Sequence, residues 1–218
     1  MTCVYLELGP KKVFACALDW AGWCRIGRSE ERAIEALTDY APRYRVITER
    51  AGLHFDPGDV VVVERVPGNS TTDFGAPDAI PTADAGPLDA QAAQRQVALV
   101  RASWAVLEDV AAASPEVLRK GPRGGGRDRD KMVAHVIEAE RSYGRRIGVR
   151  HRPFAVDDPH ALAAMRHDIA EVLGTPSAGA PLVPGAWPTR YAARRITWHV
   201  IDHIWEMEDR RDRPPADT

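Results

Sequence analysis

No run of about 18 apolar residues occurs in this chain, so no helix long enough to cross a membrane is expected. Charge of one sign is also lacking. A formal net charge of −2 over 218 residues offers no basic surface of the kind that neutralises phosphates, so no nucleic-acid partner is expected. The local cluster Arg123, Arg127, Arg129 and Lys131 is diluted by acidic neighbours and reads mostly as solvated surface. The opening stretch "MTCVYLELGPKKVF" has no basic leader ahead of an apolar stretch, so secretion is not expected. Cysteine is scarce: Cys3, Cys16 and Cys24 are the only three. An odd number cannot complete a disulfide framework, and the spacing fits no common zinc pattern. They read as small hydrophobes in strands of a cytoplasmic protein. Internal repeats are absent as well.

What is present is an ordinary apolar fraction, 44%, in a chain long enough to bury a real core as one large domain or two small ones. "CVYLELG" and "VFACALD" are short β-favouring runs separated by "PKK", a hairpin signal. "WAGWCRIGRS" then leads to Ser29, followed by Glu30 and Glu31. A hydroxyl and two carboxylates there complement the unpaired amides of a first helical turn. Ala33, Ile34, Leu37, Tyr40 and Ala41 continue at helical spacing until Pro42 kinks or restarts the helix. "DVVVVERV", residues 59–66, is β-branched and reads as a strand. The expected fold class is therefore an α+β N-terminal unit, β-β-β-α-β, over 1–66. The Pro-, Gly-, Asp- and Thr-rich stretch 67–86 reads as a linker. An all-α four-helix bundle is expected over 87–213, with its fourth helix from about Thr189 to Arg210 and Gly174 as the C′ residue of its third.

That fourth helix contains "RRITWHVIDHIWEMEDR", residues 194–210. His199 and His203 are four apart, so they share one helix face. Ile196, Val200, Ile204 and Met207 lie around them, with Trp198, Ile201 and Trp205 beside, and a helix so widely apolar is buried. Two imidazoles at that spacing can converge on one ion, and a third ligand should come from another inward face. His135 qualifies, on the stripe of Met132, Val136, Ala139 and Tyr143. His54, His151, His160 and His167 fit less well. The proposed metal ligands are thus His135, His199 and His203. The competing reading is that the three merely pack in the core, each then needing its own hydrogen-bond partner. Residues 199–203 read HVIDH, so the glutamate of an HExxH zinc protease is missing. Glu138, Asp202 and Glu206 lie near and read as surface carboxylates or as supports of a ligating histidine.

"KGPRGGGRDRD" suggests a phosphate loop, but it lacks the GxxxxGK[ST] order and follows no strand. It reads as a flexible connection into the helix of His135.

"KMVAHVIEAER" and "TWHVIDHIWEMEDR", with one histidine early in the second helix and a spaced pair in the fourth, resemble the DinB/YfiT-like superfamily of bundle metalloproteins over about residues 87–210. The resemblance implies a divalent metal on His135, His199 and His203. It also implies an activity among mycothiol- or bacillithiol-type thiol transferases or isomerases, with a low-molecular-weight thiol as a cofactor. If the bundle resembles that superfamily, the glycine-rich loop would border the site, and Arg123, Arg127 and Arg129 could meet a carboxylate-bearing thiol, which makes Arg127 and Arg129 candidate substrate-binding residues. The first segment, "VYLELGPKKVFACALDWAGWCRIGRSEERAIEAL", resembles HicB-like domains, departing from their Pro-Gly-Cys turn at Ala21-Gly22-Trp23-Cys24. Nothing like the DNA-binding part of those antitoxins follows it.

Three neutral imidazoles leave a fourth position on zinc for water, a thiolate or a small-molecule substrate, and nickel or iron would accept the same donors. The expectation is a metal-dependent transferase, isomerase or hydrolase, with tryptophan-rich helices that leave room for a homodimer. The alternative is a non-catalytic interaction protein whose HicB-like unit binds a protein partner.

Overall fold

The computed structural model describes residues 1–121, 125–182 and 184–211. Arg123 and the last two residues of the expected bundle, 212 and 213, lie outside them. The chain begins with strands β1 (Thr2–Leu8), β2 (Val13–Ala17) and β3 (Cys24–Gly27). Helices α1 (Glu30–Asp39) and α2 (Ala41–Arg50) follow, then β4 (Val60–Pro67). The sheet order is β3-β2-β1-β4, antiparallel except for the parallel β1–β4 pair, for which α1 and α2 form the crossover. The fold is α+β, with the strands towards the N-terminus and the long helices towards the C-terminus.

Local chemistry accounts for these boundaries. The Ser29 hydroxyl accepts from the Arg32 amide at 3.3 Å and opens α1 above Glu30 and Glu31. Pro42 lies in the first turn of α2, where its missing N–H costs nothing. Of the two outcomes expected at Pro42, a kink or a restart, the chain takes the restart, and the order is β-β-β-α-α-β in place of β-β-β-α-β.

Both faces of the sheet are covered, which explains why every residue of β2 is buried. Val4, Leu6, Val13 and Ala15 face Leu37, Tyr44 and Ile47 of α1 and α2. Tyr5, Phe14, Cys16, Cys24 and Val66 face the other way and receive Trp198. The strand register sets Cys16 opposite Cys24, with Cα atoms 4.2 Å apart, and the two are joined as a disulfide. This corrects the reading of all three cysteines as separate small hydrophobes; only Cys3 is free. The pairing arises because a hairpin brings the two positions face to face, which their spacing alone does not reveal.

Residues 67–86 carry a short helix, α3 (Ser70–Phe74), and a 3-10 turn (Thr82–Ala85), and they are tightly anchored. The Glu7 carboxylate, wholly buried at the end of β1, accepts from the Thr72 hydroxyl at 2.5 Å and from the Asp78 and Ala79 amides at 2.9 Å. Beyond them come α4 (Ala90–Ala112), α5 (Arg129–Arg145), α6 (Pro159–Leu173) and α7 (Thr189–Arg210), each of which packs against the other three. Asp89 and Asp158 cap α4 and α6. Gly174 ends α6 at φ −81°, a right-handed conformation and not the left-handed one a C′ glycine usually adopts.

Helix α7 sits at the centre. Trp198 faces the sheet, and Arg194 donates both terminal nitrogens to the buried Asp84 of the 3-10 turn. Arg195 donates to the Pro77 carbonyl at 2.6 Å. The segment between sheet and helices is thus fastened to both.

Candidate metal centre

Helices α5 and α7 bring His135, His199 and His203 together. Their ring centroids are 5.1 Å (135–199), 5.0 Å (135–203) and 4.7 Å (199–203) apart. One nitrogen of each lies within 4.8 Å of the others, and no fourth side chain joins the group among the described residues. His199 and His203 are buried, each 8% exposed, while His135 is partly open to solvent. Access therefore runs past His135.

Each imidazole has a distinct setting. Burial, reinforced by the charges of His203 and His135, pushes the pKa of His199 down to about 2, so this ring is neutral across the working range of a protein. Its Nδ1 is buried and has no hydrogen-bond partner. His135 is also shifted down, first by burial and then by His203. His203 Nδ1 lies 3.0 Å from Glu206 Oε2. The His203 contact holds the Glu206 carboxyl below its usual range, so that carboxylate only accepts and Nδ1 carries the proton. Nε2 of His203 is then the nitrogen that would meet an ion.

Glu206 is itself braced. Its second oxygen accepts from Arg210 Nη1 at 2.7 Å, and Arg210 Nε donates to the Arg119 carbonyl at 2.7 Å. The Arg119 amide returns to the Arg210 carbonyl at 3.0 Å. Further along the same loop, Gly126 has φ +116°, and a Cβ there would lie 2.6 Å from the Arg210 guanidinium carbon. Arg119 and Gly126 thus both lie against Arg210 at the end of α7; the expected flexible connection falls partly outside the described residues, at 122–124.

The other candidates separate. Arg127 is exposed, and its charge acts on both His135 and His199. Arg129 is held elsewhere, by the Asp130 carboxylate at 2.7 Å and the Ser114 carbonyl at 3.0 Å. Asp202 pairs with Arg25 at 3.3 Å and Glu138 pairs with Arg141, so Glu206 alone of the three nearby carboxylates bonds a histidine of the cluster.

Sequence reasoning missed Arg195 and gave Tyr143 only a packing role. The Tyr143 ring stands edge-on to His199 at 5.6 Å, and the Arg195 guanidinium lies 5.5 Å from the Tyr143 ring. Both were discoverable from spacing: Arg195 is one turn before His199, and Tyr143 is eight residues past His135 on the same stripe.

The donor set suits a divalent ion. In their neutral form the three imidazoles supply lone pairs, no fourth side-chain donor lies with them among the described residues, and His203 is bonded by a carboxylate as metal-bound histidines usually are. Compared with protein-family models, curated proteins and solved structures, the chain matches none.

Proposed function

We propose that this protein is a metal-dependent enzyme of the DinB-like kind, a thiol transferase or isomerase acting on a small molecule. His135, His199 and His203 would hold the ion, zinc by preference and nickel or iron by the same donors. The observation that carries this reading is the convergence of three imidazoles with no fourth side-chain donor among the described residues. A structural zinc site closes with four protein ligands, whereas an open position serves chemistry.

When bound, a divalent ion supplies Lewis-acid chemistry that favours the deprotonated form of a thiol or of water. The chain's own residues set the conditions for it. Glu206 fixes the tautomer and tilt of His203, and Arg210 prevents Glu206 from turning away. Burial keeps His199 unprotonated. The partly open His135 leaves a path for substrate and thiol. No general base is assigned, because Asp202 and Glu138 are each ion-paired and Glu206 is engaged twice.

The test is metal content by elemental analysis of the untagged protein beside His135→Ala and His203→Ala. About one metal per chain, lost in both variants, is expected. A folded wild type that takes up neither zinc nor nickel would instead favour the non-catalytic interaction protein.

A further inference from the structure

We infer that the substrate or thiol taken at this centre bears a carboxylate close to its metal-binding atom, and that Arg195 and Tyr143 receive it. The inference rests on the metal reading above and names the chemical class of its ligand.

The first argument is charge. Three imidazoles without charge around a divalent ion leave two positive charges, and Arg127 and Arg195 add to the field at His199. The carboxylates that could offset them are taken: Glu206 by His203 and Arg210, Asp202 by Arg25, Glu138 by Arg141. Arg195 and Arg127 have no carboxylate within ion-pair distance among the described residues, whereas Arg25, Arg141 and Arg210 nearby are all paired. No carboxylate of the described residues offsets this charge, and a bound anion would.

The second argument is geometry. The Arg195 guanidinium lies between two rings, 4.8 Å from Trp198 and 5.5 Å from Tyr143, and is tethered by one N–H to the Pro77 carbonyl. Such a clamp holds the cation in one place one helical turn from His199, so the entropy of ordering it is already met in the free protein. Its Nε is buried and has no acceptor. The Tyr143 ring bridges Arg195 to His199, with Trp187 at 5.4 Å behind it, and the partly exposed hydroxyl bonds no group among the described residues. A fixed guanidinium and a free phenol beside an open metal position are donors suited to a carboxylate.

The test uses the full chain loaded with cobalt(II), titrated with 3-mercaptopropionate and with 1-propanethiol. The two differ in little but the carboxylate. The thiolate-to-cobalt absorption band reads binding at the metal, and cobalt content is measured for every variant. Wild type should bind 3-mercaptopropionate about 10–100-fold more tightly, the range that a charge-assisted hydrogen bond supplies. Arg195→Met should lose most of that preference with its cobalt intact, and Tyr143→Phe should lose part. Cobalt binding with equal affinity for the two thiols, or an undiminished preference in Arg195→Met, overturns the inference and leaves the metal reading standing. Absence of cobalt from a folded wild type removes the metal reading and this inference with it.

Discussion

At the scale of single residues, the centre depends on protons being in particular places. Glu206 bonds His203 and is bonded by Arg210, so removing its carboxylate frees the ligand to rotate and lets it take the wrong tautomer. Glu206→Ala should weaken metal affinity about 10–100-fold, read by competition with a chromophoric chelator, while the fold persists. Unchanged affinity would mean that the histidine is oriented by packing alone. His199 sets a pH dependence. Its folded pKa, near 2, is below the ordinary value of 6.5, so the unfolded chain takes up a proton first as pH falls. Its contribution to stability is full above about pH 6.5 and declines with acid, by up to about 1.4 kcal/mol per pH unit for one such group. His135 is shifted in the same direction. Urea unfolding of the metal-free protein from pH 7 downward should show this loss, and His199→Gln should flatten the slope. Equal slopes would dissociate His199 from the acid sensitivity.

At the scale of elements, α7 is the axis. It carries two of the three histidines, the Arg194 clasp on Asp84 and the Trp198 contact with the sheet. The β2–β3 turn meets it at Gly22, whose φ is +88° and whose missing Cβ would lie 2.7 Å from both Ile201 and Thr197 side chains and 3.0 Å from the Thr197 backbone. Strain and overlap act together there. Gly22→Ala should cost about 1–3 kcal/mol of stability. Thermal unfolding checks this, and a variant with the wild-type midpoint would show that the turn yields freely. The contrast with Gly52, where a Cβ meets nothing within 4 Å, makes Gly52→Ala a suitable control for space, both positions having positive φ.

At the scale of the whole molecule, sheet and helices share one apolar core. Val4, Leu37 and Ile47 belong to the same buried cluster as Val100, Val136 and Ile204. Polar links reinforce this continuity: Arg95 lies 3.8 Å from the Trp20 ring, and Arg43 reaches Glu208 and Asp209 at the end of α7. A core that crosses the connection should melt as one unit. Calorimetry of the full chain is expected to give one transition with matching calorimetric and van't Hoff enthalpies. Two resolved transitions would show that the α+β part and the helices fold independently.

How much was legible in advance depends on the range of the interaction. Caps, proline breaks and hydrophobic periods are local, so the sequence alone determined the α7 boundaries, the Ser29 start of α1 and the β-branched β4. The same periodicity set His199 and His203 on one face and placed His135 on a buried stripe. Only the tertiary structure decided that α5 approaches α7 closely enough for the three rings to meet, because that distance is a property of packing between helices. It also decided that Cys16 faces Cys24, that Pro- and Gly-rich residues 67–86 are pinned by Glu7 and Arg194, and that Gly126 lies against the Arg210 guanidinium. It separated Arg127, whose charge reaches the centre, from Arg129, which is spent on Asp130 and Ser114. Each of these joins residues far apart in the chain, where no local propensity acts and only complementary burial, charge and hydrogen bonding select the partner.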